Sequence, residues 1–129
     1  MSAGHGIALR AASETDQEFL HRVYAESRAE ELAATDWTAA KKGEFCRDQF
    51  EAQDKYYREN YPTCQYLIVE REGIPIGRLY RDRWDEEIRI VDLALLTSER
   101  GRGIGGALMQ AVIDEARQHN IKVSIHVEA

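Results

Sequence analysis

The stretch SERGRGIGGALMQAVIDEA, residues 98 to 116, constrains this chain more than any other. Gly101, Gly103, Gly105 and Gly106 are four of its nine glycines, and they stand within six residues at the mouth of an amphipathic run. Glycine loses more conformational freedom on folding than any other residue, so such a density asks for a reason. A helix N-terminus presents unpaired N–H groups and a partial positive charge. Glycines there let a phosphate approach the backbone closely. Arg100 and Arg102 add fixed positive charge and bidentate donors. The segment Arg100, Gly101, Arg102, Gly103, Ile104, Gly105, Gly106 therefore reads as a diphosphate cradle.

Composition narrows the classes open to the chain. At 129 residues, 43% of them hydrophobic, it suggests one domain, residues 1–129, with enough apolar matter for a core. The formal charge of −6 argues against a general nucleic-acid binder. No apolar run approaches the roughly 20 residues of a membrane span. The N-terminus, MSAGHGIALRAASETD, lacks the basic start and apolar core of a signal peptide. Cys46 and Cys64 form no metal pattern and no disulfide framework, and read as reduced thiols of a cytoplasmic protein.

Periodicity orders the elements. GIALRAAS is a short first strand. Ser13 or Thr15 caps a helix that carries Phe19, Leu20, Val23, Tyr24 and Leu32 at helical spacing. A second helix runs from about Thr38 to Asn60 with Phe45, Cys46, Phe50 and Tyr57 as its stripe, and Pro62 ends it. CQYLIVEREG and IPIGRLYRDRW are strands joined through a Glu72–Gly73 turn. In the next strand, EEIRIVDLALL, Ile88 and Ile90 share one parity while Leu93 and Leu95 share the other. The pattern slips at Val91–Asp92, as a β-bulge would make it, and bulges often lie beside active sites. A strand apolar on both faces would also give this pattern. Ile104, Leu108, Ala111, Val112 and Ala116 then mark a third helix, with Glu115 breaking its inward face and Asn120 as its αL cap. IKVSIHVEA is a last strand.

Two diphosphate ligands compete for the loop. Gly101, Gly103 and Gly106 fit G-x-G-x-x-G, and Glu128 stands about twenty residues on, where a dinucleotide's ribose would be bound. Against that reading, TSER separates strand from glycines, and a dinucleotide sheet would need more chain after the motif. On the other side, RGRGIGGALM resembles the acyl-CoA motif of the GNAT acetyltransferases, Arg/Gln-x-x-Gly-x-Gly/Ala, at Arg100, Gly103 and Gly105. IVDLALL resembles that family's bulged fourth strand. The order β-α-α-β-β-β-α-β also resembles the family, strongly over 88–108 and loosely before Gln65.

The resemblance implies an α/β fold with a mixed sheet flanked by helices, and an N-acetyltransferase that uses acetyl-CoA as cosubstrate without a metal. The backbone from Arg100 to Gly106 would hold the pyrophosphate. Leu93, Ala94 and Leu95 would pair with the pantetheine arm like an added strand, and the Leu93 N–H would meet the thioester carbonyl. The family usually continues with a short helix and two more strands, which would follow HVEA. Their absence reads as truncation, as a sheet completed by a second chain, or as a compact variant. The helix commonly carries a tyrosine proposed to protonate the departing thiolate, and no residue here takes that role. An unpaired sheet edge predicts a homodimer.

The acceptor would be an amine of a small molecule or protein. With a pKa of roughly 10 it must lose a proton before attack. Arg89 stands where some family members carry a general-base glutamate. The remaining candidates are Asp92 in the bulge, Glu87 flanking the turn, and His126, which titrates near neutrality. Asp92 could instead cap backbone N–H groups of the bulge, Glu87 could be a surface acid, and His126 a hydrogen-bonded strand residue. Tyr56, Tyr57 and Arg58 read as core and surface residues or as an acceptor groove, and Trp37 as helix packing or a lid. Arg78, Arg81 and Arg83, among Asp82, Asp85, Glu86 and Glu87, read as a solvated, charge-paired hairpin. A non-catalytic acyl-CoA-binding domain is the competing class.

Overall fold

The structure is a computed structural model and describes residues 6–125. Eight main elements follow in the expected order: β1 (Ile7–Ala11), α1 (Gln17–Ala33), α2 (Ala39–Asn60), β2 (Gln65–Arg71), β3 (Ile74–Arg83), β4 (Glu87–Leu95), α3 (Ile104–Gln118) and β5 (Lys122–Ile125). The sheet runs β1-β2-β3-β4-β5. Its first four strands are an antiparallel meander, and β5 lies parallel to β4 after the α3 crossover.

Local chemistry explains the boundaries. Ser13 opens a 3-10 turn before α1, and Asp16 reaches back to accept its N–H at 2.8 Å. The same carboxylate takes both terminal nitrogens of Arg10 from β1 (2.8 and 2.9 Å), tying the start of the helix to the sheet. Thr38 caps α2 by accepting the Lys41 N–H. Glu72 and Gly73 both have positive φ (52° and 82°), the pair that a two-residue hairpin requires. Asn120, at φ 53°, ends α3, and the Ile121 N–H closes on the Ala116 carbonyl at 2.9 Å.

The sheet is covered on both faces. Ile104, Leu108, Val112 and Ala116 of α3 pack with Ile7, Val69, Leu79, Ile88 and Ile90. On the opposite face Leu20, Tyr24, Cys46 and Phe50 of α1 and α2 cover Ile68. Around the last turn of α2 a mainly aromatic group, Tyr57, Tyr61 and Tyr80 with Val91, continues that layer with Tyr66 and Trp84 at its margin. Trp37 packs edge-on to Phe45 with ring centroids 5.2 Å apart, which is the helix-packing alternative for that residue.

The parity slip in β4 is a bulge. Tyr80 of β3 faces Asp92, but the next residue, Arg81, faces Ile90, so Val91 is the extra residue. The bulge sends Val91 into the aromatic layer and returns Leu93 and Leu95 to the α3 face alongside Ile88 and Ile90. Gly77 of β3 stands opposite Leu95. A Cβ there would overlap the Ala94 carbonyl oxygen and lie 2.7 Å from Leu95 Cδ2, so only glycine lets β3 approach the end of β4 this closely.

Arg78 and Arg81 correct the hairpin reading: both are buried, not solvated. Alternation in β3 points Arg78 at the α2 face and Arg81 at α3. There Arg81 donates to Gln65 (2.8 Å) and to Glu115 (3.0 Å), which explains the acid that interrupts α3's inward face. Arg83 is the partly exposed member, 4.0 Å from the same carboxylate.

Gly77→Ala will destabilise the fold by roughly 1–3 kcal/mol, the usual range for overpacking. The check is the urea midpoint. A midpoint equal to wild type would show that β3 and β4 are not in contact as described.

Candidate active site

Strand β4 leads directly to the glycine loop. A 3-10 turn, Thr97–Glu99, joins them, and three contacts from separate elements fix it. The Leu96 N–H bonds the Ile76 carbonyl (2.8 Å), the Thr97 N–H bonds the Glu26 carboxylate of α1 (2.7 Å), and Glu99 accepts the Arg71 guanidinium of β2 (2.8 Å). Arg71 holds the Glu99 carboxyl below the usual carboxylate range. Arg100 reaches back to the Leu95 carbonyl (3.2 Å) and is exposed, as is Arg102.

Gly101 and Gly103 adopt positive φ (75° and 79°), so the turn into α3 needs them. Gly103 is the N-cap, and no side chain caps the helix. Its first internal bond runs from the Ala107 N–H to the Gly103 carbonyl (3.0 Å), leaving the N–H groups of Ile104, Gly105 and Gly106 outside the helical ladder. Gly105 and Gly106 have ordinary backbones. A Cβ at either would meet nothing within 4 Å. Neither packing nor conformation requires glycine at these two positions, and a helix disfavours it by about 1 kcal/mol relative to Ala. The fold leaves their space open at a donor-rich helix end, which is what a phosphate group needs.

The outer edge of β4 completes the arrangement. β5 pairs with Glu87–Ile90 only, and beyond the bulge no other described residue pairs with Leu93, Ala94 or Leu95 on the side away from β3. Among the described residues, an unpaired strand edge therefore runs into an uncapped helix N-terminus.

Asp92 sits at the bulge with both carboxylate oxygens engaged. Arg78 donates to them from Nε (3.2 Å) and Nη2 (2.9 Å), and the Tyr57 hydroxyl donates at 2.9 Å. Side chains, rather than the backbone N–H groups anticipated from the sequence, supply these bonds. Gln53 of α2 accepts a further bond from Arg78 (2.8 Å). Burial works against the Arg78 charge, yet Asp92, Tyr80 and Tyr57 together more than offset it and the guanidinium stays above its ordinary value. Glu87 corrects the surface-acid alternative. Its side chain is only 16% exposed, accepts the Ser124 hydroxyl, and lies 3.9 Å from both Arg89 and Lys122. Arg89 in turn lies over the Trp84 ring (5.3 Å). Asp92 and Glu87 thus stand at opposite ends of the β4–β5 junction. His126 lies outside the described residues.

Tyr57 and Arg78 were not singled out from the sequence as partners of Asp92, nor Gln53 as a partner of Arg78. Tyr57 and Tyr56 divide as core and surface: Tyr57 is 1% exposed and Tyr56 43%. No helix of the described residues is long and apolar enough to cross a membrane.

The family model for the acetyltransferase (GNAT) family matches residues 27–129. The chain belongs to the GNAT acetyltransferase family. No curated protein matches its sequence. Among solved structures, the GNAT chain resembles the PaiA N-acetyltransferase of Thermoplasma acidophilum in complex with coenzyme A, at TM-score 0.60 and 17% identity over 89% of this chain and 74% of that one. It also resembles RimL, a ribosomal L7/L12 α-N-protein acetyltransferase, at TM-score 0.60 and 19% identity over 95% of this chain and 68% of that one. A third likeness is to a predicted acetyltransferase of Clostridium acetobutylicum with acetyl-CoA, at TM-score 0.51 and 14% identity over 95% and 81%. At these identities the likeness shows the fold.

Two carboxylates of this GNAT domain, Asp16 beside Arg10 and Glu99 beside Arg71, are held below their ordinary range. A folded-state pKa below the unfolded one contributes stability that is fully present above the unfolded value and is lost as pH falls through the folded one. Urea midpoints will therefore fall as pH drops below about 4.5, the upper end of the unfolded carboxylate range. The double variant D16N/E99Q will start less stable at pH 7 and show a shallower acid slope. Equal slopes for the two proteins would contradict the pairing.

Proposed function

We propose that this chain is an acetyl-CoA-dependent N-acetyltransferase that moves the acetyl group to an amine of a small molecule or protein. The observation that carries the proposal is the bulged β4 edge running into a helix N-terminus whose glycines no internal packing requires. When bound, acetyl-CoA supplies an activated acetyl thioester that the amine attacks directly.

The chain's own groups divide the work. The N–H groups from Arg100 to Gly106, with the charges of Arg100 and Arg102, would bind the pyrophosphate. The open edge at Leu93, Ala94 and Leu95 would hold the pantetheine amides as a neighbouring strand would. The Leu93 N–H, aligned on the thioester carbonyl, would strengthen its bond as negative charge develops on that oxygen. The contacts to Glu26 and Arg71 keep the loop in place before the ligand arrives, so less ordering is left to be done on binding.

The attacking amine must reach the bulge unprotonated. Asp92, Glu87 and His126 are the proposed proton acceptors, acting directly or through water. Asp92 is the nearest of the described pair to Leu93 in the chain, and its carboxylate is gripped by Arg78. Glu87 stands farther along β4 within a network of Ser124, Arg89 and Lys122. The fold of relatives crystallised with coenzyme A or acetyl-CoA supports the cosubstrate.

Calorimetric titration of the chain with acetyl-CoA, and separately with NAD, tests this reading, followed by thiol release in a panel of amines. Acetyl-CoA binding without NAD binding is expected, with turnover of at least one amine. Binding without turnover of any amine would favour the non-catalytic alternative. Gly105→Val leaves stability unchanged or slightly raised, because the helix gains a better former and a Cβ there meets nothing within 4 Å. Its acetyl-CoA affinity will fall by about tenfold or more, equivalent to about 1.4 kcal/mol. Undiminished affinity would remove the glycines from the site.

A further inference from the structure

The pair at the bulge is unusual in its surroundings. The Arg78 side chain is 3% exposed and that of Asp92 15%. The Tyr80 ring lies 4.9 Å from the guanidinium and the Tyr57 hydroxyl meets the carboxylate. A buried guanidinium and a part-buried carboxylate both cost desolvation, and a hydrophobic pair of similar volume often serves stability as well or better. Something other than stability therefore favours keeping the charges. Their position suggests what it is. Arg78 lies opposite Ala94 in the β3–β4 ladder, two residues beyond the one it grips. The bulge residue Val91 lies just before Asp92. The guanidinium thus spans the part of β4 where an extra residue has loosened the ladder, and it holds the strand by a side chain there.

We infer that Arg78 is a positioning residue for acetyl transfer. It fixes the Asp92 carboxylate and, through it, the backbone of Leu93 at the bulge. The inference rests on the acetyltransferase reading of the site but names a residue outside it.

The neighbourhood makes Arg78 the balancing cation. The titratable groups facing Asp92 are Arg78 and Tyr80 from β3, Tyr57 from α2, and Cys64 from the connection into β2. Asp54 of α2 adds negative charge near Tyr80. Burial pushes Tyr80 up to about 12 and Cys64 up to about 12, so both are neutral at working pH. Tyr57 donates a hydrogen bond to Asp92. With Arg78 removed, Asp92 loses its counter-charge and the two guanidinium bonds that fix its side chain at the bulge.

The test uses the full chain, with Arg78→Met, Arg78→Lys and the neutral pair R78M/D92N. The neutral pair removes the stranded carboxylate that could unfold R78M. Amide exchange without ligand is read first. In R78M/D92N the amides of residues 91–95 should exchange at least tenfold faster than in wild type, with those of α3 unchanged. Acetyl transfer to the amine that wild type turns over fastest is read second. R78M should lose at least tenfold in kcat, and R78K should recover part of the loss. Acetyl-CoA affinity should change less than threefold. Unaltered exchange at 91–95 in R78M/D92N, or wild-type kcat in R78M, would overturn the inference and leave only a structural ion pair. Failure of wild type to bind acetyl-CoA would instead count against the acetyltransferase reading, while the exchange result would still decide whether Arg78 holds the bulge.

Discussion

One inserted residue, Val91, organises the functional half of this molecule. Without it, Leu93 and Leu95 would face α2, and the apolar face of β4 would be split between two layers. With it, β4 keeps α3 covered along its whole length and turns Val91 and Asp92 to the opposite face. The insertion also weakens the ladder at that point, because two residues of β4 then oppose one of β3. Two features of β3 accommodate this. Gly77 permits a backbone approach that no other residue could, and Arg78 replaces lost ladder contacts with a bidentate grip on Asp92.

The loop that follows is held just as firmly from outside. Glu26 of α1 and Arg71 of β2 approach the Thr97–Glu99 turn from different parts of the fold. Their contacts leave the next backbone donors, at the start of α3, facing an uncapped and sterically empty end. Local rules are broken here in a consistent way. Two glycines stand inside a helix, an arginine is buried in a sheet, and, among the described residues, a strand edge is left unpaired. Each departure from the locally stable choice lies along the line from bulge to helix, where a binding site would use it.

Much of this was legible in the chain. The order of elements followed from periodicity, and the slip between Ile90 and Leu93 signalled the bulge because a strand's faces alternate strictly. The glycine cluster was legible because conformational cost is a local property. The side-chain partners were not. Arg78 is 14 residues from Asp92 in sequence and Tyr57 is 35. Nothing local distinguishes an arginine destined for a buried carboxylate from one bound for solvent, so a segment rich in both charges was read as a solvated hairpin. Only the register of β3 against the bulged β4 decides that Arg78 and Arg81 go to opposite faces and find Asp92 and Glu115. Gly77 carried a weak signal, as a lone glycine inside a strand pattern, and its meaning depended on the same register.

The central claim is that the edge of β4 beyond the bulge and the first turn of α3 form one continuous seat for acetyl-CoA. Hydrogen exchange of the 129-residue chain, with and without saturating acetyl-CoA, tests it most directly. The account predicts slowed exchange confined to the backbone of Leu93–Leu95 and of Arg100–Gly106, with β1 and the α1–α2 layer unaffected. Protection centred elsewhere, or on the helix end alone without the strand edge, would contradict it.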